Sequence, residues 1–235
     1  MEKLYIVIPA YNEESNIREV VKEWYPVVRN YGNDSKLVLV NDGSKDNTLA
    51  IMQELKESMP EIDIIDKPNG GHGSSLICGY KYALEQGADY IFQTDSDGQT
   101  RPKEFAPFWY NRENYAMVIG HRKGRQDGFS RVFVTKTLKF VLRIMFGVSV
   151  TDANTPYRLM KADFVKECLE LFPDEKYNLP NVIISVAAAK RKRPVLYRRI
   201  TFRQRQGGVN SINMKKITKI GIKALKDFKE INKKM

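Results

Sequence analysis

The feature that most constrains this chain is a unit repeated through its first half. Each unit is a short apolar run, then a polar cluster, then a stretch whose apolar residues recur at helical spacing. The runs are Tyr5 to Pro9, Leu37 to Val40, Ile62 to Ile65, Tyr90 to Thr94 and Ala116 to Ile119. Between them, Glu13 to Tyr31 sets Ile17, Val20, Val21, Trp24 and Val28 on one side of a helix. Asp42-Gly43-Ser44 makes a turn, with Asp46 as N-cap of a helix running through Ser58. A glycine-rich stretch from Asn69 to Gly73 opens a third helix ending near Gln86, and a proline-started helix begins near Pro102. Such alternation predicts a parallel, doubly wound sheet with helices on both faces. Ligands of these sheets bind beyond the carboxyl ends of the strands, which is where the polar clusters fall.

The second half is less regular. Phe129 to Phe146 reads as a helix, with Phe133, Phe140, Val141 and Ile144 on an apolar face and Lys136, Lys139 and Arg143 along another. Thr151 to Met160 reads as polar loop and short strand. Ala162 to Phe172 and Val182 to Arg191 read as helices, and Val195 to Phe202 as a strand. A polar loop, Arg205 to Asn210, leads into a last helix from Asn213 to Lys233, where Ile217, Ile220, Ala224, Phe228 and Ile231 form a stripe among lysines.

Charge divides the chain unevenly. Of 39 Lys and Arg and 28 Asp and Glu in 235 residues, positions 190 to 235 hold 16 basic and 2 acidic ones, a net of +14. The rest carries a net of −3. A basic tail of this kind meets anionic lipid, phosphorylated substrate or nucleic acid, or is a solvated helix. Nucleic acid is the weakest of these, because Phe228 is the only aromatic residue between 204 and 235 and a stacking platform needs several. The stripe itself is the pattern of a core-packing helix and also of one lying on a membrane surface. No apolar run approaches the roughly 20 residues of a membrane span. The N-terminus lacks a signal-peptide pattern, and Cys78 and Cys168 are 90 positions apart. A reduced cytoplasmic protein, peripheral at the inner membrane face, is the expectation.

Four clusters carry chemistry. Asp95-Ser96-Asp97 follows a strand, and two carboxylates two positions apart in such a turn can converge on one hard cation, Mg²⁺ or Mn²⁺; taken alone, Asp-x-Asp-Gly is also an ordinary turn. Asp42 and Gly43, in Val40-Asn41-Asp42-Gly43-Ser44, can serve a nucleoside base or ribose, or a helix-capping turn. Pro9, Tyr11 and Glu13 lie in Pro9-Ala10-Tyr11-Asn12-Glu13-Glu14, where Asn12 also reads as a helix cap. Gly71-His72-Gly73-Ser74 offers backbone N–H groups at a helix start, where phosphate binds. Neither a dinucleotide fingerprint nor a P-loop is present.

Taken in order, these clusters closely resemble those of glycosyltransferase family 2, over about residues 4 to 125 and more weakly to about 212. The resemblance implies the α/β GT-A fold: a mostly parallel central sheet with helices on both faces and, here, a basic amphipathic C-terminal helix. It divides the chain into a catalytic domain, 1–212, and that helix, 213–235. Residues 1–120 are the nucleotide-sugar-binding half and 121–212 the acceptor-side half. The later part is similar to the polyprenyl-phosphate sugar transferases. Asp152-Ala153-Asn154-Thr155-Pro156-Tyr157-Arg158 resembles their D-x-x-S/T-G-F segment, with proline in place of glycine. Arg205-x-x-Gly208-x-Asn210 resembles their R-x-x-G-x-S-K segment, with Asn-Ser in place of Ser-Lys.

The resemblance further implies an inverting transfer from a UDP- or GDP-sugar. Pro9, Tyr11, Glu13, Asp42, Gly43, Gly71, His72, Gly73, Asp95 and Ser96 would bind the donor, and Asp95, Asp97 and Gln99 would hold Mg²⁺ or Mn²⁺. Arg122, Arg131 and Arg205 would hold the phosphate of a polyprenyl (undecaprenyl or dolichyl) acceptor, since guanidinium pairs bidentately with phosphate oxygens. If the acceptor is instead a glycan hydroxyl, its high pKa demands a general base, and Asp152 is the candidate; the alternative for Asp152 is an ion pair with Arg158 or another arginine of the site. A non-catalytic nucleotide-sugar-binding protein is the remaining reading, disfavoured by the presence of Asp95, Asp97 and Gln99 together.

Overall fold

The computed structural model describes the backbone of residues 2–122, 129–175, 177–203 and 214–235, with side chains except those of 122, 129–135 and 214–223. Seven strands, β1 (Leu4–Ala10), β2 (Lys36–Asn41), β3 (Ile62–Asp66), β4 (Tyr90–Gln93), β5 (Met117–Arg122), β6 (Arg158–Lys161) and β7 (Val195–Ile200), form one sheet in the order β3-β2-β1-β4-β6-β5-β7. Every neighbouring pair is parallel except those of β6, which runs antiparallel to both β4 and β5. The helices are α1 (Ile17–Asn30), α2 (Thr48–Ser58), α3 (His72–Glu85), α4 (Ala106–Tyr110), α5 (Phe129–Phe146), α6 (Ala162–Leu169), α7 (Pro180–Lys190) and α8 (Met214–Lys234).

All seven residues of β1 are buried, as in a central strand covered on both faces. Side-chain alternation splits them. Leu4, Ile6 and Ile8 join a layer with α1 and the aromatic group Trp24, Phe92, Phe105, Phe108 and Tyr157. Tyr5 and Val7 join the opposite layer, against α3, α6 and α7. The C-terminal half of α8 belongs to that second layer. Ala224, Phe228 and Ile231 are buried, the Phe228 ring lies 5.5 Å from that of Phe146, and Asn232 Nδ2 donates to Met145 O over 2.9 Å. Ile217 and Ile220 lie outside the described side chains.

Two sequence expectations change. Helix α1 begins at Ile17, not Glu13, because Asn12 takes a left-handed φ of +54° and the Asn16 and Ile17 N–H groups close a turn on Glu13 O. The apolar face of α5 also differs. Leu142 and Phe146 are buried, with Leu138, Val141 and Met145 packed beside them, whereas Phe140 and Ile144 are 65% and 68% exposed. At 100° per residue, positions 138, 142, 145 and 146 form the inner stripe, and 140 and 144 fall away from it. Phe133 lies outside the described side chains. No helix among the described residues is long and apolar enough to cross a membrane.

Candidate active site

The site is built from the loops at the carboxyl ends of β1 to β4, and the first two loops are stitched together. The Asn12 N–H donates to Ser44 Oγ (3.0 Å), and Asn12 Oδ1 accepts from the Lys45 N–H (2.8 Å). The Glu13 N–H donates to Thr48 Oγ1 (2.9 Å), while the Glu13 carboxylate accepts from Asn16 Nδ2 (2.6 Å). Glu14 Oε2 accepts from both the N–H and Nδ2 of Asn47, each at 3.0 Å. Asn12 therefore bridges two loops instead of capping α1. The N-cap position of α2 is Asn47, one residue later than the sequence placed it at Asp46; Asp46 precedes it, and its Oδ1 accepts from the Thr48 N–H (3.0 Å) and hydroxyl (2.5 Å). Burial works against that carboxylate, but the Thr48 bonds prevail and hold its pKa below the ordinary value. Pro9 is buried within β1, opposite Val40, and Tyr11 is half-buried just beyond the strand.

The second knot is Asp42. Its side chain is 4% exposed and turned into the β3–α3 loop. Oδ1 accepts from Lys67 Nζ (2.5 Å) and the Gly70 N–H (2.9 Å), and Oδ2 accepts from the Gly71 N–H (2.8 Å). Two glycines are required here. Gly43 has φ +65°, and a Cβ on it would stand 2.9 Å from Asn69 N; Gly71 has φ +88°. At Gly73 a Cβ would sit 2.1 Å from Tyr177 O and 2.8 Å from the Asn178 backbone, so its close approach is to the protein's own chain. This packing aims the N-terminus of α3 at the end of β4, where His72 Nε2 lies 3.8 Å from Asp95 Oδ1.

After β4 the burial alternates. Ser96, Gly98 and Thr100 point in, while Asp95, Asp97 and Gln99 are half-buried along one edge. Asp97 Oδ1 accepts from the Gln99 N–H (3.1 Å), and Gln99 is tied to the end of β7, its Nε2 donating to Arg203 O (3.3 Å) and its O accepting from the Arg203 N–H (2.8 Å). Arg203 is itself held by an ion pair with Glu23. Among the described residues no group of three or more His, Cys, Asp and Glu is placed to hold a metal. Two carboxylates and an amide on an open edge fit an exchangeable hard cation whose remaining positions are filled by water and substrate oxygens.

On the other flank Asp152 is 16% exposed at its side chain; Oδ1 accepts from the Asn154 N–H (3.3 Å), and Oδ2 stands 4.0 Å from His121 Nδ1 at the end of β5. Its ion pair with Arg158 does not form. Arg158 is wholly buried and donates to four neutral oxygens, Thr155 O (3.1 Å), Asn181 O (3.0 Å), Ser185 Oγ (3.4 Å) and Ala153 O (3.3 Å). Desolvation pulls its pKa down, countered by the fields of Tyr80, Asp152, Tyr197 and Asp95. Sequence reasoning treated Arg158 only as a partner for Asp152, although a lone arginine opening the apolar strand Arg158-Leu159-Met160 was a signal that the position is special. Arg122 closes β5 and Arg131 lies in the first turn of α5, but the side chains of both fall outside the described residues, as does the whole of Arg205.

The fold and the strand-end site define a nucleotide-sugar type of α/β architecture, the GT-A fold. A glucosyl-3-phosphoglycerate synthase from Mycobacterium tuberculosis, solved with Mn²⁺, UDP-glucose and phosphoglyceric acid, shares it at a TM-score of 0.67 and 16% identity, over 97% of this chain and 80% of that one. Residues 5–169 match the model of glycosyl transferase family 2, and the chain belongs to that family of glycosyltransferases. It is 31% identical over 206 residues to a UDP-N-acetylglucosamine–dolichyl-phosphate N-acetylglucosaminyltransferase of Methanococcus voltae, covering 78% of this chain and 79% of that protein. It is 28% identical over 173 residues to an undecaprenyl-phosphate 4-deoxy-4-formamido-L-arabinose transferase of Pectobacterium carotovorum. That match covers 72% of this chain and 52% of the relative, so the chain spans about half of that protein's length.

Proposed function

We propose that this glycosyltransferase moves a sugar, with inversion, from a nucleotide diphosphate sugar to a polyprenyl phosphate at the cytoplasmic face of a membrane. The observation that carries the donor half is the meeting of His72, at the α3 N-terminus, with Asp95 beyond β4. Backbone N–H groups there suit a diphosphate. Asp95, Asp97 and Gln99 would hold Mg²⁺ or Mn²⁺, which when bound offsets charge on the leaving diphosphate. Pro9, Tyr11, Glu13 and the loop shaped by Asp42 and Gly43 would line the nucleoside. The acceptor follows the two relatives, a dolichyl-phosphate and an undecaprenyl-phosphate sugar transferase. A lipid monophosphate is already ionised and needs positioning, the role we give Arg122, Arg131 and Arg205.

A second reading, transfer to a glycan hydroxyl, is favoured by one observation. Asp152 faces His121 at 4.0 Å, and a carboxylate beside an imidazole is a setting for a general base. Asp152→Asn separates the two. With radiolabelled UDP- or GDP-sugar, transfer to polyprenyl phosphate should persist in the variant. Transfer to a hydroxyl acceptor in the wild type, abolished in the variant, would replace the first reading with the second.

A further inference from the structure

Helix α5 presents an outward face that the core does not explain. Phe140 and Ile144 are 65% and 68% exposed, one turn apart, on the side opposite the buried Leu142 and Phe146. Lys136, Lys139 and Arg143 are exposed on the same side of the helix. Throughout its 18 residues α5 contains no acidic residue. Apolar side chains pointing into water amid positive charge are the pattern of a helix lying in a lipid headgroup region, where the rings and aliphatic groups enter the acyl boundary and the bases meet anionic lipid. The stripe of α8 read in sequence both as core packing and as a membrane-surface face, and Ala224, Phe228 and Ile231 of it are in the core. What α8 exposes there is Leu225 with Lys226, Lys229 and Glu230.

We infer that the outer face of α5, centred on Phe140 and Ile144 with Lys136, Lys139 and Arg143 beside them, docks on an anionic lipid surface. The face is assigned to lipid and not to a second copy because of charge. Apposing two copies through it would bring basic helices together, whereas an anionic surface neutralises them. The inference deepens the lipid-acceptor reading by placing the membrane on the acceptor side of the molecule, yet it can fail separately from it.

The test is co-sedimentation of the full chain with vesicles of phosphatidylcholine, with and without phosphatidylglycerol. The wild type should bind the anionic vesicles and bind neutral ones more weakly. Phe140→Ser with Ile144→Ser should lower the partition coefficient about tenfold or more on anionic vesicles. Lys139→Glu with Arg143→Glu should lower it by at least about fivefold per residue, on anionic vesicles alone. All four positions are exposed, so melting temperatures should match the wild type. Transfer to a short, water-soluble prenyl phosphate should be unchanged. Equal vesicle binding by the Phe140/Ile144 variant would overturn the inference, as would a wild-type dimer made monomeric by that variant with vesicle binding intact. Absence of prenyl-phosphate transfer in the wild type would sink the acceptor reading while leaving vesicle binding to decide the surface.

Discussion

Asp42 offers the sharpest separation of structure from ligand binding, and Asp42→Asn is the perturbation. Three donors converge on its carboxylate: Lys67 Nζ, the Gly70 N–H and the Gly71 N–H, at 2.5, 2.9 and 2.8 Å. An amide keeps the shape but has one acceptor oxygen. If that oxygen takes the Oδ1 position, the NH₂ group points at the Gly71 N–H. If it takes the Oδ2 position, the Gly70 N–H and Lys67 both lose their acceptor. In the milder case a buried N–H is left unpaired, about 1–3 kcal/mol, and the charge-assisted part of the Lys67 bond goes, about 1.5–3 kcal/mol. Lys67 is itself only 17% exposed, so water makes up little of the loss. The sum is about 2.5–6 kcal/mol, which for a domain of this size is a fall in Tm of roughly 5–24 °C. Calorimetry without nucleotide reads it directly, and Asp42→Ala, which orphans all three donors, should fall further. An Asn variant melting within about 2 °C of the wild type would refute the reasoning. It would mean that the carboxylate is not what shapes the β3–α3 loop and is spare for the donor.

Asp97→Ala should abolish sugar transfer while leaving the melting curve of the free protein in place, and calorimetric titration with UDP or GDP should lose its dependence on Mn²⁺ or Mg²⁺; full turnover would remove Asp97 from the metal site. Gly73→Ala forces a Cβ to 2.1 Å from Tyr177 O, a backbone atom that cannot swing aside, and should cost about 1–3 kcal/mol in urea unfolding. Burial pushes the Cys168 thiol up to about 12, so the native state should resist thiol reagents there at about pH 8 until it unfolds. Because that pKa is raised on folding, its contribution to stability is complete below the unfolded thiol value of about 8.5 and is lost as pH rises toward the folded one. Unfolding midpoints should therefore fall across that window more steeply in the wild type than in Cys168→Ala.

The strands of the first half and the candidate site at their ends were legible because their information is local. Each strand of β1 to β4 is an apolar run followed at once by its own polar loop, so strand ends and site residues fall together within a residue or two. What was not legible depends on partners far along the chain. Asp42 reads as a free acidic side chain until Lys67, Gly70 and Gly71 are folded against it. Gly73 reads as a phosphate-binding glycine until Tyr177 is brought to its hydrogen. Strand β6 runs antiparallel to β4, from Arg158 opposite Gln93 to Lys161 opposite Tyr90, a pairing across 65 to 71 positions that no local pattern encodes. The face of α5 was misread for a different reason. An i, i+4 apolar pair looks the same in sequence whether it faces the core or the solvent, and only the burial of Leu142 and Phe146 decides which.

Charge gives the two halves of the molecule different answers to one problem, the handling of phosphate. Residues 1 to 189 carry a net of −3, and the strand-end edge that would receive a diphosphate is lined by Asp95 and Asp97. An anionic donor approaching carboxylates needs positive charge from elsewhere, and the α3 N-terminus supplies only a partial charge. Arg158 is a buried guanidinium whose hydrogen bonds go to neutral oxygens, and the fields of Asp152 and Asp95 offset part of its charge. A divalent cation on the aspartates supplies the rest on our reading, and it can leave with the product. An acceptor phosphate, by contrast, must be held without being neutralised so tightly that it stops attacking. Arginines do this through hydrogen bonds, and those of the proposed acceptor site fall in the chain's second half, where the basic excess lies. The same excess continues onto the exposed flank of α5. On our reading, donor, acceptor and lipid surface would be met by a metal site, by guanidinium groups and by a basic apolar face in turn, in order of how strongly each anion must be gripped.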